Sequence, residues 1–387
     1  MSTVRFGIVG LGNMGAVHAR SLLDGKIPRA TLGAVCDTVP AALEKFPGIP
    51  GFTDAGEMFR SGKVDAVLIG TPHFSHTPLG VAALGAGLHV LVEKPISVHK
   101  ADCERLIAAY DPKGRQVFAA MFNQRTDPLY AKVRDLIRSG ELGDVRRIQW
   151  TVTNWFRTQA YYDSGGWRAT WAGEGGGVLL NQCPHNLDLW QWLFGMPNRV
   201  RAFASLGRYH DIEVEDDVTA YLGYEDGTTG VFITSTGEAP GTNRLEVAAE
   251  RGRIVVENDT LSYLRNEIPM SEYSRTTTQA FEPPPKWNVT IPIQGRGEQH
   301  NGILKNFVEA VLDGKPLLAP AVEGIHSVEL ANAMLLSAFE DETVSLPLDG
   351  KRYEALLQRK IAESKEKKQK KAKPGAPAAD FAKSFAS

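Results

Sequence analysis

Residues 7–15 read GIVGLGNMG. The short apolar run ending at Val9 is a buried strand. Gly10, Gly12 and Gly15 follow in G-x-G-x-x-G spacing, and an apolar-periodic helix runs on behind them over 16–23. Strand, glycine turn and helix in this order predict the first β-α unit of a doubly wound parallel sheet. Each glycine has its own physical task. Gly10 permits the tight turn out of the strand. Gly12, without a Cβ, lets a pyrophosphate reach the backbone. Gly15 lets helix and strand pack closely, with the phosphates on the helix N-terminus. Asp37 ends the next apolar run (32–36), 22 residues after Gly15, where a carboxylate meets a ribose hydroxyl pair. The turn is therefore read as a dinucleotide site formed by Gly10, Gly12, Asn13, Met14, Gly15 and Asp37. The carboxylate of Asp37 favours NAD over NADP, because it repels a 2′-phosphate.

The rest of the first 122 residues keeps the rhythm. Helical stretches at 41–46, 54–60, 76–86 and 100–109 alternate with apolar strands at 64–70, 88–92 and 117–121. That alternation means a parallel sheet covered on both faces, with ligands beyond the carboxyl ends of its strands. Three such ends are chemically loaded: Thr71, Pro72 and His73; Glu93 and Lys94; and Asn123, Gln124 and Arg125. Thr71, Pro72, Glu93, Lys94 and Asn123 are expected at the cofactor, and His73 and the following His76 either contact the nicotinamide ribose or cap the next helix. After a helix at 128–138 and a strand at 145–155, short strands follow one another between residues 199 and 263 without helices between them. Helices return at 299–312 and 322–339. Consecutive strands predict a large, mainly antiparallel sheet. The fold class is thus α/β, an N-terminal Rossmann sheet plus a C-terminal α+β domain. The expected divisions are 1–123, 124–363 and a basic, Pro/Ala-rich tail, 364–387.

A chain of 387 residues with 43% apolar and 23% charged residues is long enough for two globular cores. No run approaches the ~20 apolar residues of a membrane helix, and a strand starting at Val4 leaves no room for a targeting segment. Cys36, Cys103 and Cys183 are too widely spaced for a disulfide framework or a zinc ribbon, so reduced thiols and a cytoplasmic setting are expected. The chain carries −2 overall, but the stretch 359–373 alone carries +6, which leaves the remainder at −8. Such a body is not built for nucleic acid. One face of the second sheet remains uncovered once its helices are placed, so a homodimer or homotetramer through that sheet is expected.

Lys94 sits in Glu-Lys-Pro at a strand end, where an ammonium can hydrogen-bond a hydroxyl and favour its alkoxide. His185 lies in GGGVLLNQCPHNLDLWQWL, residues 175–193. An imidazole there can accept a hydroxyl proton as hydride leaves the same carbon. Asn181 lies one helical turn before His185 and shares its face. His185 and Asp188 lack an apparent third metal ligand, so no metal is expected. Arg125 can bind a polar substrate or tie the two domains together. The segment holding Trp155, Arg157, Tyr161, Tyr162, Trp167 and Arg168 offers ring faces and donors of the kind that bind a sugar.

Together GLGNMG, GTPHFSH, EKP and GGGVLLNQCPHNLDL resemble the Gfo/Idh/MocA family, the glucose-fructose oxidoreductase and inositol dehydrogenase group, over about residues 4–348. The resemblance implies NAD(H) or NADP(H) in the first domain and a sugar, polyol or sugar derivative in the cleft. Its catalytic lysine matches Lys94 and its catalytic histidine His185. The family often has an aspartate four residues before that histidine; here it is Asn181, and an amide cannot take up a proton. The TPN-x-x-H block also departs, with His73 in place of asparagine. The function so implied is hydride transfer between nicotinamide and a secondary hydroxyl. Two rivals share the cofactor site. One is a redox-neutral glycosidase, for which Tyr161, Tyr162 or His300 would supply an extra acid or base. The other is a non-catalytic dinucleotide-binding regulator.

Overall fold

Apolar runs this short fold only by pairing with one another under helices. The computed structural model describes residues 3–364. In it six of these runs, β1 (Val4–Val9), β2 (Ala30–Cys36), β3 (Gly51–Phe52), β4 (Ala66–Ile69), β5 (His89–Val92) and β6 (Phe118–Ala120), pair in parallel in the order β3-β2-β1-β4-β5-β6. The order reverses between β1 and β4, and in such sheets the crevice beyond the strand ends at that reversal takes the ligand. Every residue of β4, Ala66 to Ile69, is buried, as a sheet covered on both faces requires. Asp54 caps the helix Ala55–Arg60, accepting from the Glu57 N–H at 2.8 Å.

The helix Gln299–Asp313 returns from far along the chain to this first sheet. Ile303, Leu304, Phe307 and Val308 are buried in its core, and the rings of Phe6 and Phe307 lie 5.7 Å apart.

The second sheet has nine strands: β7 (Val145–Val152), β8 (Arg199–Leu206), β9 (Glu215–Gly223), β10 (Thr229–Ser235), β11 (Asn243–Ala249), β12 (Gly252–Glu257), β13 (Thr260–Asn266), β14 (Lys286–Thr290) and β15 (Val344–Ser345). They run β14-β13-β12-β11-β7-β10-β9-β8-β15. The expected antiparallel pairing holds except between β7 and β10, which are parallel. Strand direction is set by how the chain returns, so no local pattern announces this pair.

One face of the sheet is apolar. Ile148, Trp150 and Val152 of β7, Phe232 of β10 and Leu245 and Val247 of β11 are all buried, under the helices Pro184–Phe194 and Gly324–Glu340. Trp150 and Trp190 stack with centroids 6.5 Å apart. Several elements are additional to those read from sequence: β13, β14 and the helices Met270–Thr276 and Gly350–Glu363. The last is capped by Asp349, which accepts from the Lys351 N–H at 3.0 Å, and it buries Tyr353, Leu356 and Leu357. The predicted tail lies outside the described residues except for Ser364, whose hydroxyl donates to Glu213.

Candidate active site

The glycine turn has the shape a dinucleotide needs. Gly10 holds φ at +88°, a conformation that side chains resist. A Cβ on Gly15 would sit 1.8 Å from the Gly10 carbonyl oxygen, so only glycine permits this approach of helix to strand. A Cβ on Gly12 would meet nothing within 4 Å, which leaves open space over the start of the helix Asn13–Leu23. No side chain caps that helix start. Its first N–H groups therefore face an approachable surface, as an anion requires. Asp37 is fixed beside the turn: its carboxylate accepts from the N–H of Leu11 at 2.7 Å and of Val39 at 2.9 Å. Carboxylate oxygens so bonded keep lone pairs for ribose hydroxyls. Thr71 Oγ1, Asn123 Oδ1 and Gln124 Oε1 are buried at the neighbouring strand ends with no partner in the protein. These residues fit NAD.

The strand ends are braced from below. His76 lies between the carbonyl oxygens of Thr71 and Pro95, each 2.8 Å from a ring nitrogen; burial first holds its pKa down, so its single N–H donates to one of them at the exits of β4 and β5. His73 is buried; its Nδ1 donates to the Glu174 carbonyl at 3.3 Å, and burial chiefly lowers its pKa to about 3. Glu93 takes a 2.7 Å bond from His18. Burial alone would raise this carboxyl, but His18, His300 and Lys94 outweigh it and hold it at about 2. Asn123 Nδ2 donates to Gln299 Oε1 at 2.7 Å. His300 lies 5.6 Å from His18, ring to ring.

Lys94 and His185 meet here from opposite units. Lys94 Nζ donates to the Asn181 carbonyl at 2.9 Å, across the crevice. Burial lowers its pKa despite Glu93 and Glu174. His185 is 4% exposed, and its Nδ1 has no partner in the protein. Burial first, then the charge of Lys94, keeps this imidazole well below its usual pKa and hence neutral. Phe122, just past β6, sets its ring edge-on to His185 at 6.4 Å.

The aromatic segment lines the mouth. Trp167 meets His73 edge-on at 6.1 Å, and Arg168 lies over Trp167 and Tyr161 at 4.7 and 4.8 Å. Arg157 lies over Trp155 and Tyr161 at 5.6 and 5.1 Å. Trp155 Nε1 donates to Asn186 at 3.4 Å. Tyr161 accepts from Arg168 at 2.9 Å and from Gln182 at 3.4 Å, which joins the segment to the turn ahead of His185.

Two residues expected to bind substrate are placed elsewhere. Tyr162 points into the second core and donates its hydroxyl to Thr236 at 2.9 Å. Arg125 is 2% exposed and grips Asp188 with two bonds of 2.8 and 2.6 Å, with a third to Glu323 at 2.5 Å. The structure gives Arg125 ion pairs, because a guanidinium so desolvated must be paired. Glu174 and Gln182 were missed by sequence reading. The signal for Glu174 was a lone charge among glycines, GEGGG over 173–177. Among the described residues no three His, Cys, Asp or Glu side chains gather as a metal site.

Comparison with known proteins agrees with this geometry. A family model described as the oxidoreductase family with an NAD-binding Rossmann fold matches residues 4–121, and the GFO/IDH/MocA C-terminal domain matches 130–255. The inositol 2-dehydrogenase of Rhizobium meliloti is 28% identical over 89% of this chain and 99% of its own length. The myo-inositol 2-dehydrogenase of Thermotoga maritima is 26% identical over 89% and 98%. Among solved structures, the WlbA dehydrogenase of Bordetella pertussis, in complex with NADH and UDP-GlcNAcA, superposes with a TM-score of 0.75 at 26% identity, over 90% of this chain and 100% of that one. The chain is a member of the Gfo/Idh/MocA family of oxidoreductases, with that family's NAD-binding Rossmann domain.

Proposed function

We propose that the protein is an NAD-dependent dehydrogenase acting on a secondary hydroxyl of a sugar, polyol or sugar derivative. The convergence of Lys94 and His185 on one crevice carries this reading, and the two inositol dehydrogenases matched along nearly their whole length support it. NAD, when bound, supplies the hydride acceptor. The protein's own part is proton management. His185, kept neutral by burial, takes the hydroxyl proton. Lys94, held at the crevice by the Asn181 carbonyl, donates a hydrogen bond to the same oxygen and steadies the alkoxide as it forms. Asn181 orients the hydroxyl, and the rings of Trp155, Tyr161 and Trp167 with Arg157 and Arg168 present the faces and donors for the rest of the substrate. The alcohol loses one hydride and one proton and becomes a ketone.

We place the enzyme in the cytoplasm, because Cys36, Cys103 and Cys183 are buried free thiols. No helix among the described residues is long and apolar enough to cross a membrane. The test is incubation of the purified protein and NAD with a panel of polyols, sugars and glycosides, reading reduced cofactor and product mass. Accumulating NADH with a ketone product is expected. Release of an aglycone with no net NADH would transfer the protein to the redox-neutral glycosidases.

A further inference from the structure

The turn 173–177 carries a charge that the proton chemistry above does not use. Glu174 is 2% exposed. One of its carboxylate oxygens accepts from the Ala169 N–H at 2.7 Å, and Ala169 takes up a left-handed φ of +52° where it makes that bond. The other accepts from the side-chain amide of Asn181. The Asn181 carbonyl in turn holds Lys94, and the main-chain oxygen of Glu174 holds His73. Burial pushes the Glu174 carboxyl up, against its bonds from Ala169 and Asn181 and the charges of Arg168 and Lys94. Around Lys94, the carboxylates of Glu93 and then Glu174 face the guanidiniums of Arg157 and Arg168.

An amide has one donor end and one acceptor end. With Nδ2 committed to Glu174, Asn181 keeps Oδ1 for a ligand's O–H. A carboxylate buried within electrostatic reach of an ammonium favours the charged form of that ammonium.

We propose that Glu174 is a positioning residue of the active site, which turns the acceptor end of Asn181 toward the substrate hydroxyl and, together with Glu93, stands as counter-charge to the Lys94 ammonium. This rests on the dehydrogenase reading for the hydroxyl, but the statement about Lys94 stands without any substrate. A purely structural Glu174, bracing the turn through Ala169, would leave the ionisation of Lys94 alone.

The test moves the charge across one hydrogen bond. Glu174→Gln removes it, and Glu174→Gln with Asn181→Asp puts it back on the other partner. The protonation of Lys94 is followed by ¹³C-methylation of lysines and NMR across pH, with the Lys94 signal assigned by its loss in Lys94→Arg. Turnover, KM and NADH affinity are measured beside it. In Glu174→Gln, Lys94 should titrate at lower pH than in the wild type. Turnover should fall about tenfold or more, the worth of one charge-assisted bond. NADH affinity should be nearly unchanged. The double variant should recover both the Lys94 titration and most of the turnover. Glu174→Asp, which keeps the charge, should keep the titration even if Glu174→Gln melts early. An unmoved Lys94 titration in folded Glu174→Gln, or a double variant no better than the single, overturns the proposal. If no polyol or sugar reduces NAD while Lys94 still follows the charge at 174, the substrate reading fails and the coupling stands.

Discussion

At Lys94 and His185 the protein pays for function with desolvation. Both are drawn from their ordinary pKa by burial; Lys94 Nζ bonds the Asn181 carbonyl, and His185 Nδ1 is left without a partner in the protein. Replacing His185 by alanine should lower turnover by on the order of 10²–10⁴, the usual worth of general acid–base catalysis, and Lys94→Ala should do the same. NADH affinity, read by fluorescence titration, should barely change in either, since the dinucleotide rests on the glycine turn and Asp37. Near wild-type turnover in His185→Ala would move the base to Tyr161 or His300. Asp37 carries a separate prediction. The wild type should bind NADH more tightly than NADPH. Asp37→Asn should weaken NADH binding about tenfold, the cost of a charge-assisted bond, and so narrow the preference. A ratio of affinities that does not move in Asp37→Asn would show that another group reads the ribose.

Lys94, His185 and Asp37 are each marked locally in the sequence: Lys94 by a strand end and a proline, His185 by a glycine run ahead of a helix, Asp37 by its distance from the turn. Glu174 is not. Its role depends on how an aperiodic turn folds onto Asn181, and no spacing encodes that.

Elements hold those residues in place, and Glu215 shows how. It is the first residue of β9, fully buried, with one carboxylate oxygen accepting from the Leu179 N–H at 3.0 Å and the other without a partner. Its carbonyl accepts from Val178 at 3.0 Å, and a Cβ on Gly177 would sit 1.9 Å from that carbonyl oxygen. The start of β9 and the loop leading to Asn181 are thus in direct backbone contact, which only glycine allows. Burial raises the Glu215 carboxyl to about 7. Between the ordinary carboxylate range and that value the folded chain keeps a proton that the unfolded chain has lost. The stabilisation is therefore complete at low pH and is lost as pH rises to about 7, at about 1.4 kcal/mol per pH unit. Glu215→Gln removes the effect, so its stability relative to wild type should improve from pH 5 to pH 8. Urea unfolding of both proteins at the two pH values measures this, and the buried histidines cancel in the difference. Parallel pH profiles for the two would refute it.

Sequence pattern found most elements because burial imposes period on them. It missed the helix Gly350–Glu363, although Asp349 and the spacing of Tyr353, Leu356 and Leu357 signal one, because its lysine-rich surface blends into the tail. It missed β14 because that edge strand is exposed along most of its length and has no buried face to declare itself.

At the scale of the molecule, the helix Gln299–Asp313 returns to pack on the first sheet, and the buried Arg125 pairs with the buried Asp188 and the part-exposed Glu323. Lys94 bonds the Asn181 carbonyl, and its charge reaches His185. Among the described residues, the other face of the second sheet carries exposed side chains. Phe203 on β8 is 63% exposed and Tyr221 on β9 is 40% exposed. They stand on neighbouring registers, with Phe203 opposite Thr219 and Arg201 opposite Tyr221; Val231 of β10 lies opposite Tyr221 on the other side. Aromatic and β-branched side chains in adjoining rows of one sheet face lose favourable energy while they remain in water, and a second copy of the same face can cover them by a two-fold axis. We propose that the protein self-associates through this face. Light scattering at micromolar concentration should give the mass of a dimer or a larger even assembly. Phe203→Glu with Tyr221→Glu sets charges on both copies of the proposed contact, which must then be desolvated there. The mass should then fall toward that of the monomer, while the circular dichroism of the fold is retained. A wild type that is monomeric ends the proposal, and an assembly that survives both glutamates places the interface on another surface.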